Sequence, residues 1–282
     1  MRPRSGTNYL SDLLCLHPDC AAADPILEDY LVHHADILAL YVDTVRQRWR
    51  PEWGVGDADA SRLLRSLGDG LVGFLAARTN GRRVVAKTPS VRNLDLFFTL
   101  FPTAQLLILV RDGRDEVESM VRSFGVNREW ATRRWAEAAR TILDFDRANK
   151  DSGRNYLIVK YEDLWQNLGE EAPRIFSFLD LASDAYDFAA AAELPIRGSS
   201  EHTGQVGQGL DWTPTVKPAD FKPVKRWRNW SPSRHARFNW IAGVPLVGLG
   251  YALEQVNLHP HCSAGWNRVL DARWLAGGAL RV

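Results

Sequence analysis

The sequence is poor in several features, and each shortage excludes a class of protein. There are three cysteines, Cys15, Cys20 and Cys262. Their number is odd, and their spacing matches neither a zinc site nor a disulfide framework. The net charge is only +1, so no bulk electrostatic field draws the chain to nucleic acid, and any anion site has to be built locally. No apolar run is long enough to span a bilayer. The longest, "IAGVPLVGLGYAL" at 241–253, is interrupted by Pro245 and reads as part of a buried C-terminal helix over about 235–256. The chain opens without the charged and apolar regions of a signal peptide. A reducing, cytoplasmic setting is therefore expected. Internal repeats and low-complexity segments are also lacking.

What remains is ordinary globular composition, with 45% hydrophobic and 24% charged residues over 282 positions, enough to bury a sizeable core. The pattern predicts one domain over 1–282. Helix-spaced leucines run from Leu10 to Leu14 and stop before Pro18. A long helical region is expected over 26–48 and another over 60–78. Short apolar runs bounded by turns predict buried strands ending near Lys87, over 105–110 and over 156–160, with helices over 92–101, 129–149 and 170–180 between and after them. Strands alternating with helices indicate an α/β fold with a parallel sheet. Residues 193–233 are rich in Gly, Ser, Pro and Trp, and a loop of that length in a compact domain is usually functional or mobile.

In open α/β sheets the ligand crevice lies beyond the carboxyl ends of the strands. Lys87, Arg111 and the pair Tyr161-Glu162 follow the three expected strands, so two of the three strand ends carry a cation. The opening "RPRSGTN" places Gly6 in a tight turn ahead of a helix, where the N–H groups of Ser5 to Asn8 form an anion nest. It could equally be a plain helix cap. No G-x-x-x-x-G-K-[ST] is present, so the phosphate-reaching lysine of a P-loop kinase is missing. In "VRDGRDEVESMVRS", Arg111 and Ser119 are eight residues apart on a strand–turn–helix, a suitable clamp for a second phosphate. Arg114 and Glu118 in the same stretch read as a solvated i,i+4 pair.

The ordered set "RPRSGT", "AKTP", "LLILVRDGRDEVESM", "VKYEDL" and "KRWRNW" resembles the sulfotransferases that use 3′-phosphoadenosine 5′-phosphosulfate (PAPS). It is most similar to the tyrosylprotein-sulfotransferase-like and bacterial small-molecule branch, over about residues 2–235. The resemblance implies a P-loop-like three-layer α/β/α fold and transfer of a sulfuryl group to a hydroxyl or amine of a small molecule, sugar or lipid, with PAP as product and no metal. It assigns Arg4, Ser5, Gly6, Thr7 and Asn8 to the 5′-phosphosulfate and Arg111 and Ser119 to the 3′-phosphate. Tyr161-Glu162 has either a packing or a ligand role. Lys225, Arg226 and Trp227 match the closing element over the nucleotide, with Arg226 preferred for a phosphate contact. Ser199 and Ser200 fall where related enzymes bring a serine to the site. Lys87, helped by Arg4, would neutralise charge growing on the leaving phosphate. For the base, Glu28 ranks before Asp24 and His33, and one of Glu28 and Asp29 is expected to be merely solvated. Trp212, Trp227 and Trp230 could stack on a ring, although core packing is the commoner fate of tryptophan.

The acceptor side would be built from the helices of 26–80 and the loop of 193–233. Two rival readings are a non-catalytic nucleotide- or anion-binding protein of the same fold and a kinase acting on ATP. A turn such as 4–8 normally sits at the end of a buried strand, and nothing in residues 1–3 supplies one. A strand ahead of Met1, missing from the sheet, is therefore expected. The pattern carries no code for the acceptor or for the oligomeric state.

Overall fold

The computed structural model describes residues 5–197, 213–218, 221–256 and 260–279. The chain runs α1 (Thr7–Cys15), β1 (Cys20–Ala21), α2 (Ala35–Arg46), α3 (Asp57–Ala76), β2 (Arg83–Val84), α4 (Phe97–Leu100) and β3 (Leu106–Val110). It continues with α5 (Gly113–Phe124), α6 (Arg128–Asn149), β4 (Tyr156–Lys160), α7 (Tyr161–Gln166), α8 (Leu168–Phe178), α9 (Phe188–Ala192), α10 (Pro232–Gly248) and α11 (Pro260–Ala279).

β3 is apolar at every position because both of its faces are covered, as parallel strands require. Its side chains alternate between two cores. Ile108 and Val110 pack with Val117, Met120, Trp135, Phe145 and Phe238 of α5, α6 and α10. Leu109 and Val159 pack with Leu10, Leu14, Ile175 and Phe176 of α1 and α8. Helices thus cover both sides of the strands, giving three layers. Where α5 crosses α6, a Cβ on Gly113 would lie 2.5 Å from the Trp135 ring, so only glycine allows this approach. A third core, with Val42, Leu64, Leu100 and Phe101, holds α2 and α3 to α4.

β3 and β4 pair in parallel from Leu106–Tyr156 to Val110–Lys160. β1 and β2 also pair in parallel, from Cys20–Arg83 to Ala21–Val84. Among the described residues no ladder joins β2 to β3. The expected sheet is present as two halves.

Several expected boundaries shift. The helix expected over 26–48 is confined to Ala35–Arg46, because the Asp29 carboxylate binds the end of another strand instead of leaving a helical backbone to pair with itself. The helix expected over 170–180 is α8, and a short helix not expected there, α7, precedes it and is divided from it at Asn167. The apolar 241–253 run begins inside α10, which ends at Gly248 and not near 256. Among the described residues no helix is long and apolar enough to cross a membrane. α11 lies beyond any element expected from the pattern. Arg133 on α6 and Arg237 on α10 both bond Asp271 on α11, at 2.5 and 2.7 Å.

Candidate active site

The turn before α1 depends on Gly6. Its φ of 97° lies in the left-handed region, where a side chain is strained. A Cβ here would also sit 2.4 Å from the Tyr161 ring. Tyr161 is the first residue of α7, directly after β4, and is buried. The first N–H groups of α1 have no partner within the helix, and they open toward a small cleft of about 90 Å³.

That cleft collects side chains from distant parts of the chain. Gly6, Thr7, Asn8, Glu28, Arg111, Ser119 and Arg226 all line it. Arg111 leaves the end of β3, with its guanidinium 4.7 Å above the Tyr161 ring and Nη2 donating to the Pro223 carbonyl at 2.5 Å. Ser119 lies two turns into α5, 3% exposed. The spacing of eight works because α5 starts at Asp112, whose carboxylate caps the helix by accepting from Arg114 N at 2.9 Å.

Lys87 reaches this cleft through its neighbour. Nζ donates to Asn8 Oδ1 at 2.6 Å, which places an amine at the N-terminal turn of α1. Burial lowers its pKa, and the negative charges of Glu28 and Asp12 oppose that shift. Asp12, one turn along α1 from Asn8, has its own pKa raised by burial, with Arg197 and Lys87 pulling it back. The Arg197 guanidinium lies 3.4 Å from its carboxylate. Ser5 and Thr88 line the neighbouring cavity.

Of the three candidate bases, Glu28 lies at the cleft and accepts a bond from the Tyr30 hydroxyl at 2.6 Å. Asp24 is exposed, and the His33 ring pairs with Ser90 Oγ at 2.6 Å. Asp29 is not a solvated carboxylate. It accepts from Lys87 N, from Thr88 Oγ1 at 2.8 Å and from Leu31 N at 3.1 Å. The residue beside Glu28 thereby fastens the segment to the end of β2.

The closing element is anchored as well. The Asp115 carboxylate accepts from Lys225 N at 2.7 Å and Arg226 N at 2.6 Å. Burial pushes its pKa up to about 6. Trp230 is buried in the core and Trp227 packs half-buried against it. The Arg114 guanidinium lies 3.7 Å from the Trp227 ring centre, and Trp230 Nε1 donates to Glu118. The Arg114–Glu118 pair expected to be solvated is therefore corrected. Residues 113–120 are all buried, so each charge takes another partner, Asp112 for Arg114 and Arg128 for Glu118. Glu162 bonds Asp112 N at 2.9 Å and the Tyr251 hydroxyl at 2.8 Å, which ties the ends of β3 and β4 together. Arg4, Ser199, Ser200 and Trp212 lie outside the described residues.

Sequence reasoning missed Asp12 and Arg197 and gave Asp29 no more than the choice of being a base-side or a solvated carboxylate. The i,i+4 relation of Asp12 to Asn8 was a readable signal, because it puts both on one face of α1. Asp29 and Arg197 carried no such signal.

A cationic cleft beyond parallel strands, floored by a helix N-terminus, defines an anion-handling α/β enzyme class. The profile of the sulfotransferase family matches residues 2–185, and the chain belongs to that family. It is a transferase. Two solved structures share its fold. One is the sulfotransferase domain from the olefin synthase of Synechococcus PCC 7002, 23% identical over 90% of this chain and 93% of that chain, with a TM-score of 0.55. The other is the sulfotransferase domain from the curacin biosynthetic pathway, 19% identical over 90% and 96% of the two chains, also at 0.55. Comparison with curated proteins gives no match.

Proposed function

We propose that the chain transfers a sulfuryl group from PAPS to a hydroxyl or amine of a small-molecule, sugar or lipid acceptor. The observation that carries this reading is the Lys87–Asn8 contact at the N-terminus of α1, beside a cleft that also holds Arg111 and Ser119. It supplies two separate anion positions, as a donor with phosphates at both ends of its ribose needs.

The donor brings the sulfuryl group and leaves as PAP. Ser5, Gly6, Thr7 and Asn8 offer backbone N–H groups and hydroxyls to the 5′ end. Arg111 and Ser119 hold the 3′-phosphate with charge-assisted hydrogen bonds, and Arg226 adds a cation on the other wall. Glu28 accepts the acceptor's proton as its oxygen or nitrogen bonds to sulfur. The bond between sulfur and the bridging oxygen breaks, and Lys87 stabilises the charge that oxygen gains. Positioning and charge stabilisation carry most of such a transfer. Arg4 and Ser200 complete the expected donor set.

The test is transfer of ³⁵S from labelled PAPS to a panel of acceptors, with calorimetry of PAP binding. Lys87→Ala is expected to keep PAP binding and lose turnover, and Arg111→Ala to lose both. Normal turnover in both variants overturns the reading, and PAP binding without turnover on any acceptor reduces it to a binding protein.

A further inference from the structure

Glu28 and Tyr30 stand two positions apart, and in a regular helix side chains so spaced point to different sides. Here they meet. The Tyr30 hydroxyl donates to Glu28 Oε2 at 2.6 Å, because the stretch ahead of α2 is irregular and Tyr30 itself has a φ of 54°. That is left-handed backbone, which a bulky residue rarely adopts unless its surroundings impose it. The surroundings do so from both directions. On one side, Asp29 N donates to Lys87 O at 3.2 Å, and the Asp29 carboxylate accepts from Lys87 N, Thr88 Oγ1 and Leu31 N. On the other, His33 N donates to Tyr30 O at 3.1 Å, and Asn93 Nδ2 donates to the His33 carbonyl at 3.0 Å. The Tyr30 ring is fixed as well. It stands edge-on to the His33 ring, with centroids 5.7 Å and planes 80° apart, and that imidazole pairs with Ser90 Oγ at 2.6 Å. Backbone and ring are thus both clamped to the segment that follows β2. Tyr30 is not among the residues lining the donor cleft, whereas Glu28 is, so its effect on the site passes through that carboxylate.

We infer that Tyr30 is a positioning residue for Glu28, holding its carboxylate at the cleft in the orientation that takes up the acceptor's proton. This rests on the proposed reading, in which Glu28 is the base. A glutamate side chain has several rotatable bonds, and an unheld carboxylate spreads over many rotamers. A base has to lie within hydrogen-bond reach of the proton it takes, so every rotamer that points elsewhere is idle. A hydrogen bond to a carboxylate is among the stronger ones, and one such bond from a clamped donor selects among the rotamers. Tyr30 keeps its own proton throughout. The acceptor's proton goes to Glu28, so Tyr30 adds geometry to the transfer and no step of its own. The irregular backbone is what this contact requires. A helix continued back from α2 through residue 28 would turn the two side chains apart.

The test compares the parent chain with Tyr30→Phe, Glu28→Gln and the double variant. Each is assayed for ³⁵S transfer, with calorimetry of PAP binding and a melting curve beside it. Tyr30→Phe is expected to lower kcat roughly tenfold, while PAP affinity and Tm stay at the parent values. In the Glu28→Gln background the same substitution is expected to bring no further loss, because no base is left to position. Parent kcat in Tyr30→Phe beside a slow Glu28→Gln overturns the inference and leaves the base assignment standing. An equal fractional loss in both backgrounds overturns it too, and so does a joint fall of kcat, PAP affinity and Tm, which would make Tyr30 part of the general framework. Parent turnover in Glu28→Gln, or no turnover of the parent chain on any acceptor, overturns the proposed base and this inference with it.

Discussion

The ammonium of Lys87 donates to the side-chain carbonyl of Asn8 at 2.6 Å, joining the end of β2 to the first turn of α1. Seventy-nine positions separate the two in sequence, so the contact exists only once both strand ends meet the helix. Lys87→Ala removes the amine proposed to face the leaving oxygen. It is expected to lower kcat by roughly 100- to 1,000-fold with little change in Tm, and Lys87→Arg to restore part of the rate. Steady-state kinetics beside a melting curve check both.

Asp29 does not face the acceptor in the proposed chemistry; it holds the segment that carries Glu28 against Lys87 and Thr88. Asp29→Ala is expected to lower kcat roughly 10- to 100-fold through misplacement of that carboxylate, with PAP affinity unchanged by calorimetry. Asp29→Asn, which keeps one acceptor oxygen, is expected to lose less. An equal loss of PAP binding in Asp29→Ala would assign the residue to the donor side instead.

Asp115 makes stability depend on pH. Burial raises its pKa from 3.8 to about 6, so the folded state holds this proton more tightly than the unfolded state. Its contribution is fully present below about pH 4 and is lost as pH rises through about 6. Asp115→Asn does not titrate, so its stability relative to the parent is expected to improve on going from pH 4 to pH 7, by on the order of 2–3 kcal/mol. Urea unfolding at the two pH values measures this. A difference that does not change with pH would count against it.

Gly6→Ala brings a side chain into a left-handed turn and into the Tyr161 ring. A loss of about 1–3 kcal/mol is expected, read as a lower urea midpoint. PAP binding is expected to weaken at the same time, because the turn is the proposed donor cradle. Gly54, also at positive φ but with open space around it, is the control position, where substitution is expected to leave PAP binding intact.

Local features were legible because they depend on neighbours in the chain. The aliphatic run of 105–110 and the Arg111-to-Ser119 spacing form one strand–turn–helix, and the structure reproduces the strand within a residue. The loss of the first part of the helix expected over 26–48 was illegible because what prevents it, the bonds from Asp29 to Lys87 and Thr88, spans more than fifty positions. The pairing expected between Arg114 and Glu118 failed for a similar reason. Periodicity assumed a solvated face, and α5 has none over 113–120.

By itself, then, the sequence determined the class of fold, the family and the set of cations at the strand ends, since each follows from short-range patterns of apolar runs, turns and charges. Only the tertiary structure decided which of those groups meet. It put Glu28 at the cleft and Asp24 and His33 away from it, turned Asp29 and Asp115 into anchors, and set Trp230 in the core with Trp227 half-buried against it. Each of these outcomes depends on burial and on partners far along the chain, which no local pattern encodes.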